Sequence, residues 1–313
     1  MALHPVIQKM LDGARAAGRP SLSTGTVAQA RAQVTAMRSA LGTGPAQVAL
    51  QAVQIPGQSG VVPARLYWPT PSPRGLVVYL HGGGWVCGEL DDFDPLARLM
   101  AHRSGCAVLL IDYRLAPEHP FPAGLEDVEA ALSWADTEGM ERFGFRAPLV
   151  VAGDSAGANL GIAAVLATRQ CIPVAFQAWF YPVTDADFER PSYLAHSDGM
   201  PLTGQDMRWF FGQYAPAANW FDPQISVLRS PSLANSPPTW IATAEYDVLR
   251  DEGEAYARQL HEAGVEVALH RAEGLPHGFA RLFNLVDDAR AAVENASDAI
   301  AAACAVHVPT SII

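Results

Sequence analysis

Ser155 stands in the stretch "VVAGDSAGAN" (150–159), midway between Gly153 and Gly157, behind an apolar run and ahead of a segment of helical period. A chain builds such a corner when one hydroxyl must project clear of its own backbone as a nucleophile. Gly-x-Ser-x-Gly also arises by chance in roughly one chain of this size in ten, so it needs company. That company is "HGGGW" (81–85), whose HGGG alone is expected by accident in roughly one such chain in two hundred. Consecutive glycines leave backbone N–H groups free to approach a substrate oxygen. The N–H groups of Gly82 and Gly83, with that of Ala156 just past the serine, are expected to form a hole for a tetrahedral oxyanion.

A serine hydroxyl needs an imidazole to take its proton and a carboxylate to fix that imidazole's tautomer. Of the nine histidines, His277 in "EGLPHGFARLF" follows a predicted last strand, "VEVALH", in a loop flanked by Pro and Gly. His4, His102, His261 and His307 fall in predicted helices or chain ends. His81 belongs to the glycine loop, His196 to a predicted lid, and His119 to a loop that precedes the serine. For the acid, "AEYDVLRDEG" offers Glu245, Asp247 and Asp251. Glu245 follows its strand too closely, and Asp251 opens a helix where an acid has a capping role of its own. Asp247 remains, giving the order Ser155, Asp247, His277. Asp154 reads as a structural hydrogen-bonding residue rather than a second base.

The elements that must position these groups are legible in the apolar pattern. "LVVYL" (76–80), "AVLLI" (107–111), "PLVVAG" (148–153), "AFQAWF" (175–180) and "TWIAT" (239–243) are short continuous apolar runs separated by helical periods, including 124–135 and 251–264. That alternation predicts an α/β fold with a mostly parallel sheet covered on both faces. "QVALQAVQI" and "VVPARLYWP" alternate as an antiparallel pair at a sheet edge would. In such sheets ligands collect at the carboxyl ends of the strands, where all the candidate residues lie. Residues 1–46 read as amphipathic helix and residues 185–225 interrupt the rhythm. Both are expected to fold over the ligand edge as a cap on a catalytic domain spanning 47–313. Trp85, Trp209, Phe210, Phe211 and Tyr214 are either core packing or an apolar wall for substrate above the serine.

Composition narrows the function. The chain has 313 residues, 50% hydrophobic and 17% charged, enough to bury a large core. A net charge of −11 leaves no basic stripe for a phosphate backbone, so nucleic acid is not an expected partner. Cys87, Cys106, Cys171 and Cys304 show no metal or disulfide spacing and are expected to be buried free thiols, so no metal site is expected. No run of 18 apolar residues and no signal-peptide pattern occurs, so a cytoplasmic protein without stable membrane insertion is expected.

With these residues in hand, the chain resembles bacterial members of the hormone-sensitive lipase family of α/β-hydrolases. The resemblance rests on "HGGGWVCGELDDFD" (81–94), "DYRLAPEHPFPA" (112–123), "GDSAGAN" (153–159), "EYDVLRDEG" (245–253) and "HGF" (277–279). It implies the α/β-hydrolase fold with a helical cap and a carboxylesterase acting on short to medium acyl esters, with no cofactor and often as a homodimer. By position it assigns Ser155, Asp247 and His277 to the triad and Gly82, Gly83 and Ala156 to the oxyanion hole. The chain departs from the family pattern at Ala158, where a glycine usually stands, and at Val248, where a proline does. Neither position carries a reacting group. The same machinery can cleave amides, sugar acetates or lactones. Plant gibberellin receptors resemble the family but lack the histidine that this chain keeps.

Overall fold

The computed structural model describes residues 2–142, 147–196 and 198–306; His307 lies outside them. Eight strands form one sheet: β1 (Ala49–Gly57), β2 (Gly60–Trp68), β3 (Leu76–Leu80), β4 (Ala107–Ile111), β5 (Leu149–Asp154), β6 (Val174–Phe180), β7 (Thr239–Tyr246) and β8 (Val267–Pro276). Their order is β1-β2-β4-β3-β5-β6-β7-β8. The β1–β2 hairpin is the antiparallel edge expected, and from β4 to β8 every pairing is parallel.

The helices are α1 (Pro5–Ala16), α2 (Val27–Ala36), α3 (Arg38–Leu41), α4 (Leu90–Ser104), α5 (Ala123–Trp134), α6 (Ser155–Thr168), α7 (Pro191–Ala195), α8 (Gly204–Tyr214), α9 (Arg250–Glu262) and α10 (Asp287–Val306). The two faces of the sheet have separate cores, and the strand period sorts residues between them. Leu76, Val78 and Leu80 of β3 pack with Leu125 and Val128 of α5, Leu160 of α6 and Leu260 of α9. Val77 and Tyr79 point the other way, toward Leu96 and Met100 of α4 and Val293 and Ile300 of α10. With apolar neighbours on both sides, β3 and β4 are buried at every position, which is why they read as unbroken apolar runs rather than alternating ones.

Two sequence expectations are corrected. The last strand does not stop at 270 but runs to Pro276, because it stays paired to β7 through a register shift as far as Tyr246. Cys171 is exposed in the turn after α6, whereas Cys87, Cys106 and Cys304 are buried thiols. No described helix is long and apolar enough to cross a membrane.

The two segments outside the sheet rhythm meet each other. Asp206, in the first turn of α8, accepts from the Thr203 N–H at 3.1 Å while its own N–H donates to the Thr203 hydroxyl oxygen at 3.1 Å, a reciprocal cap on the helix. The same carboxylate accepts from the Ser23 N–H at 2.9 Å and from the Ser21 hydroxyl, which ties the N-terminal segment to α8.

Candidate active site

The strand ends converge as the open parallel sheet requires. Ser155 follows β5, Asp247 follows β7, His277 follows β8 and the glycine loop follows β3. Ser155 takes φ of +54°, in the left-handed region that a side chain normally avoids. The glycines beside it explain how the corner closes. A Cβ on Gly153 would come within 2.7 Å of the Leu80 carbonyl oxygen, and one on Gly157 within 2.3 Å of both the Leu80 and His81 carbonyl oxygens. The corner is therefore pressed against the exit of β3, which brings the serine beside the glycine loop.

His277 Nε2 lies 3.0 Å from Ser155 Oγ, and its Nδ1 lies 2.7 Å from Asp247 Oδ2. The other oxygen of Asp247 accepts from the Leu249 N–H at 3.0 Å. Asp247 is fully buried and His277 nearly so, so the contacts operate out of bulk water. Tyr181 packs against the imidazole with ring centroids 4.6 Å apart. The structure thus brings together Ser155, Asp247 and His277. It keeps the rival acids elsewhere: Glu245 accepts from the Gly274 N–H at 2.6 Å, and Asp251 from the Ser192 N–H at 2.8 Å. His81 is stacked between Tyr113 and Phe93, and burial lowers its pKa to about 4, so it is a neutral packing residue.

The glycine loop corrects one expected donor. The Gly82 N–H donates to Asp154 Oδ1 at 2.9 Å, so it is already committed and cannot also serve an oxyanion. Asp154 has the structural part expected of it: the same oxygen accepts from the Tyr79 hydroxyl at 3.0 Å. Burial pushes its carboxyl up to about 6 despite both bonds, which pull the other way. The next two residues, Gly83 and Gly84, have positive φ, and neither amide has a hydrogen-bond acceptor among the described residues. Side chains are excluded at both: a Cβ on Gly83 would fall 2.1 Å from the Cys87 carbonyl oxygen, and one on Gly84 2.3 Å from the Phe210 ring. The sequence did signal Gly84, as the third glycine of the run. Ala156 lies in the first turn of α6, where amides have no intrahelical acceptor.

The aromatic residues expected near the serine pack around the glycine loop. Trp85 stacks flat on Tyr214 with centroids 4.4 Å apart, both fully buried, and Phe210 packs under Gly84 with Trp209 at its edge. These side chains pack on the glycine loop itself, Phe210 against Gly84 and Tyr214 and Phe211 against Trp85. The cavity that reaches His277, about 760 Å³, has a mixed lining, with Met10, Leu11, Leu22, Val34, Met37 and Met200 beside charged Arg15, Arg19, Asp198, Asp206 and Arg281. Trp85, Trp209, Phe210 and Tyr214 do not line it. Arg31 of α2 is a residue sequence reasoning missed. Its guanidinium donates to the Val86 carbonyl at 2.8 Å and pairs with Glu118 at 2.6 Å, pinning the N-terminal segment to the end of the glycine loop. A lone arginine on a polar helix carries no signal for such a contact. Among the described residues no cluster of three or more His, Cys, Asp or Glu side chains is arranged to hold a metal ion.

Residues 77–281 match a family described as having the alpha/beta hydrolase fold. Over 294 residues the chain is 38% identical to a carboxylic ester hydrolase, LipN, of Mycobacterium tuberculosis, covering 90% of this chain and 78% of that protein. It is 39% identical over 239 residues to an ethyl acetate hydrolase of Pseudomonas putida, covering 73% and 74%. Among solved structures, a thermostable esterase from Pseudomonas putida superposes with a TM-score of 0.92 at 30% identity, over 97% of this chain and 98% of that one. A hyperthermophilic esterase from Pyrobaculum calidifontis superposes with a TM-score of 0.90 at 33% identity, over 96% and 99%.

Proposed function

The chain belongs to the alpha/beta hydrolase family, of the hormone-sensitive lipase type, and from that premise we propose how its residues divide the labour of ester hydrolysis. It is a carboxylesterase. His277 Nε2 takes the proton of Ser155 Oγ as the oxygen attacks the acyl carbon, and Asp247 holds the imidazole in the tautomer that can accept that proton. The negative charge that develops on the carbonyl oxygen is met by the N–H groups of Gly83, Gly84 and Ala156. The imidazolium then gives its proton to the departing alcohol. Water, deprotonated by the same imidazole, attacks the acyl-enzyme and releases the acid.

The observation that carries this reading is the unbroken chain from the Asp247 carboxylate through His277 to the Ser155 hydroxyl, at 2.7 and 3.0 Å. Residues 1–46 and 185–225 act as a cap over the site. The Met, Leu and Val side chains among the lining, interspersed with charged groups, offer apolar contact for short to medium acyl chains. A cytoplasmic location and a homodimer complete the proposal; the dimer is supported by the edge position of β8 and its exposed Leu269. Ser155→Ala is expected to abolish hydrolysis of p-nitrophenyl butyrate and labelling by an organophosphate probe, read by mass. Activity near that of the wild type in this variant defeats the assignment.

A further inference from the structure

We propose that Ser192, at the start of α7, is a positioning residue for the catalytic acid, through which the 185–225 insertion sets the geometry of the triad. The inference rests on the reading of Asp247 as that acid. Asp247 is the last fixed point of the triad, and it sits on a short turn between β7 and α9 rather than within either element. Part of its carboxylate is held by that same turn, through the Leu249 N–H. The aim of the carboxylate toward His277 is therefore only as firm as the turn.

What fixes the turn comes from 56 residues away in the chain. The Ser192 hydroxyl donates to the Val248 carbonyl at 2.6 Å and accepts from the Asp251 N–H at 3.3 Å. The Ser192 N–H donates to the Asp251 carboxylate at 2.8 Å. One fully buried serine thus grips the turn immediately after Asp247 and again at the first residues of α9. The adjacent Tyr193 adds a second tie, its hydroxyl donating to Glu252 at 3.3 Å, while the other oxygen of Glu252 accepts from the Thr184 and Asp185 N–H groups at 2.7 and 3.2 Å. The acid turn is clamped between the insertion and the exit of β6. A hydroxyl is the group this position needs, because it must donate to a carbonyl and accept from an amide at once. Displacements of about 1 Å in a reacting group can cost a hundredfold in rate, so a loosened turn acts on turnover rather than on substrate binding.

The test is a double-mutant cycle on the full chain, with p-nitrophenyl butyrate as substrate and active-site concentration titrated by an organophosphate. Ser192→Ala is expected to lower kcat about tenfold with KM unchanged. In an Asp247→Asn background the same substitution is expected to add no further loss, because the clamp works only through the carboxylate. Equal losses in both backgrounds, or a change in KM alone, mean a general structural role and overturn the proposal. A Ser192→Ala enzyme with the kcat of the wild type, beside an Asp247→Asn enzyme that has collapsed, overturns the proposal while leaving the acid assignment intact. An Asp247→Asn enzyme with wild-type turnover defeats the acid assignment, and the proposal with it. Should Ser192→Ala fail to fold, the nearly isosteric Ser192→Cys, a weaker donor, is expected to lose several-fold in kcat at constant KM; unchanged kcat there overturns the proposal.

Discussion

Replacing Asp154 by alanine separates the support of the glycine loop from the chemistry performed on it. The wild-type carboxylate accepts from Tyr79 and from the Gly82 N–H, and both donors are buried. Removing it leaves two orphaned donors, at about 1–3 kcal/mol each, or about 2–6 kcal/mol in all. Opposing this, burial raises the Asp154 carboxyl from its ordinary 3.8 to about 6. A group whose folded pKa is raised contributes its stability fully below the unfolded pKa and loses it as pH rises through the folded one. At about 1.4 kcal/mol per pH unit the loss totals about 3 kcal/mol, with about half of it between pH 5 and pH 8. The alanine variant has no such group. Its stability deficit against the wild type is therefore expected to shrink by about 1.4 kcal/mol between about pH 5 and about pH 8. Urea unfolding of both proteins across that range measures it. A deficit that stays constant or grows with pH refutes the assignment of a buried, destabilised carboxylate. In the same preparations kcat should fall about tenfold or more with KM little changed, because the loop carrying Gly83 and Gly84 loses its anchor at Gly82; undiminished kcat refutes the link between Asp154 and the oxyanion donors.

Two other substitutions probe the loop and the cavity. Gly84→Ala puts a methyl 2.3 Å from the Phe210 ring at a residue with φ of +61°, and the displaced amide is expected to cost about a hundredfold in kcat on p-nitrophenyl butyrate, with organophosphate labelling slowed alongside. Leu22→Trp fills part of the cavity beside His277 and is expected to raise KM for an octanoate ester several-fold while leaving an acetate ester unaffected; equal effects on both esters would show that acyl chains do not occupy this space.

The sequence by itself determined what short-range backbone chemistry can encode. The serine corner between Gly153 and Gly157, the run of glycines after β3 and the strands buried on both faces are local patterns, and each forces a conformation that other residues would resist. Chain order along a parallel sheet then narrowed the acid and base to Asp247 and His277, since strand ends share one edge whatever the intervening segments do. Tertiary structure decided the points that turn on which distant group reaches a given atom. The Gly82 amide is spent on Asp154, 72 residues on, which moves the free donors to Gly83 and Gly84. Phe210, Phe211 and Tyr214 of α8 pack on the glycine loop, while residues of the N-terminal segment help line the cavity that reaches His277. Arg31 and Ser192 hold the loop and the acid turn through carbonyl oxygens that any residue could have supplied. A backbone carbonyl is the same in every residue, so no side-chain pattern along the chain could have announced those two partnerships before the fold brought them within reach.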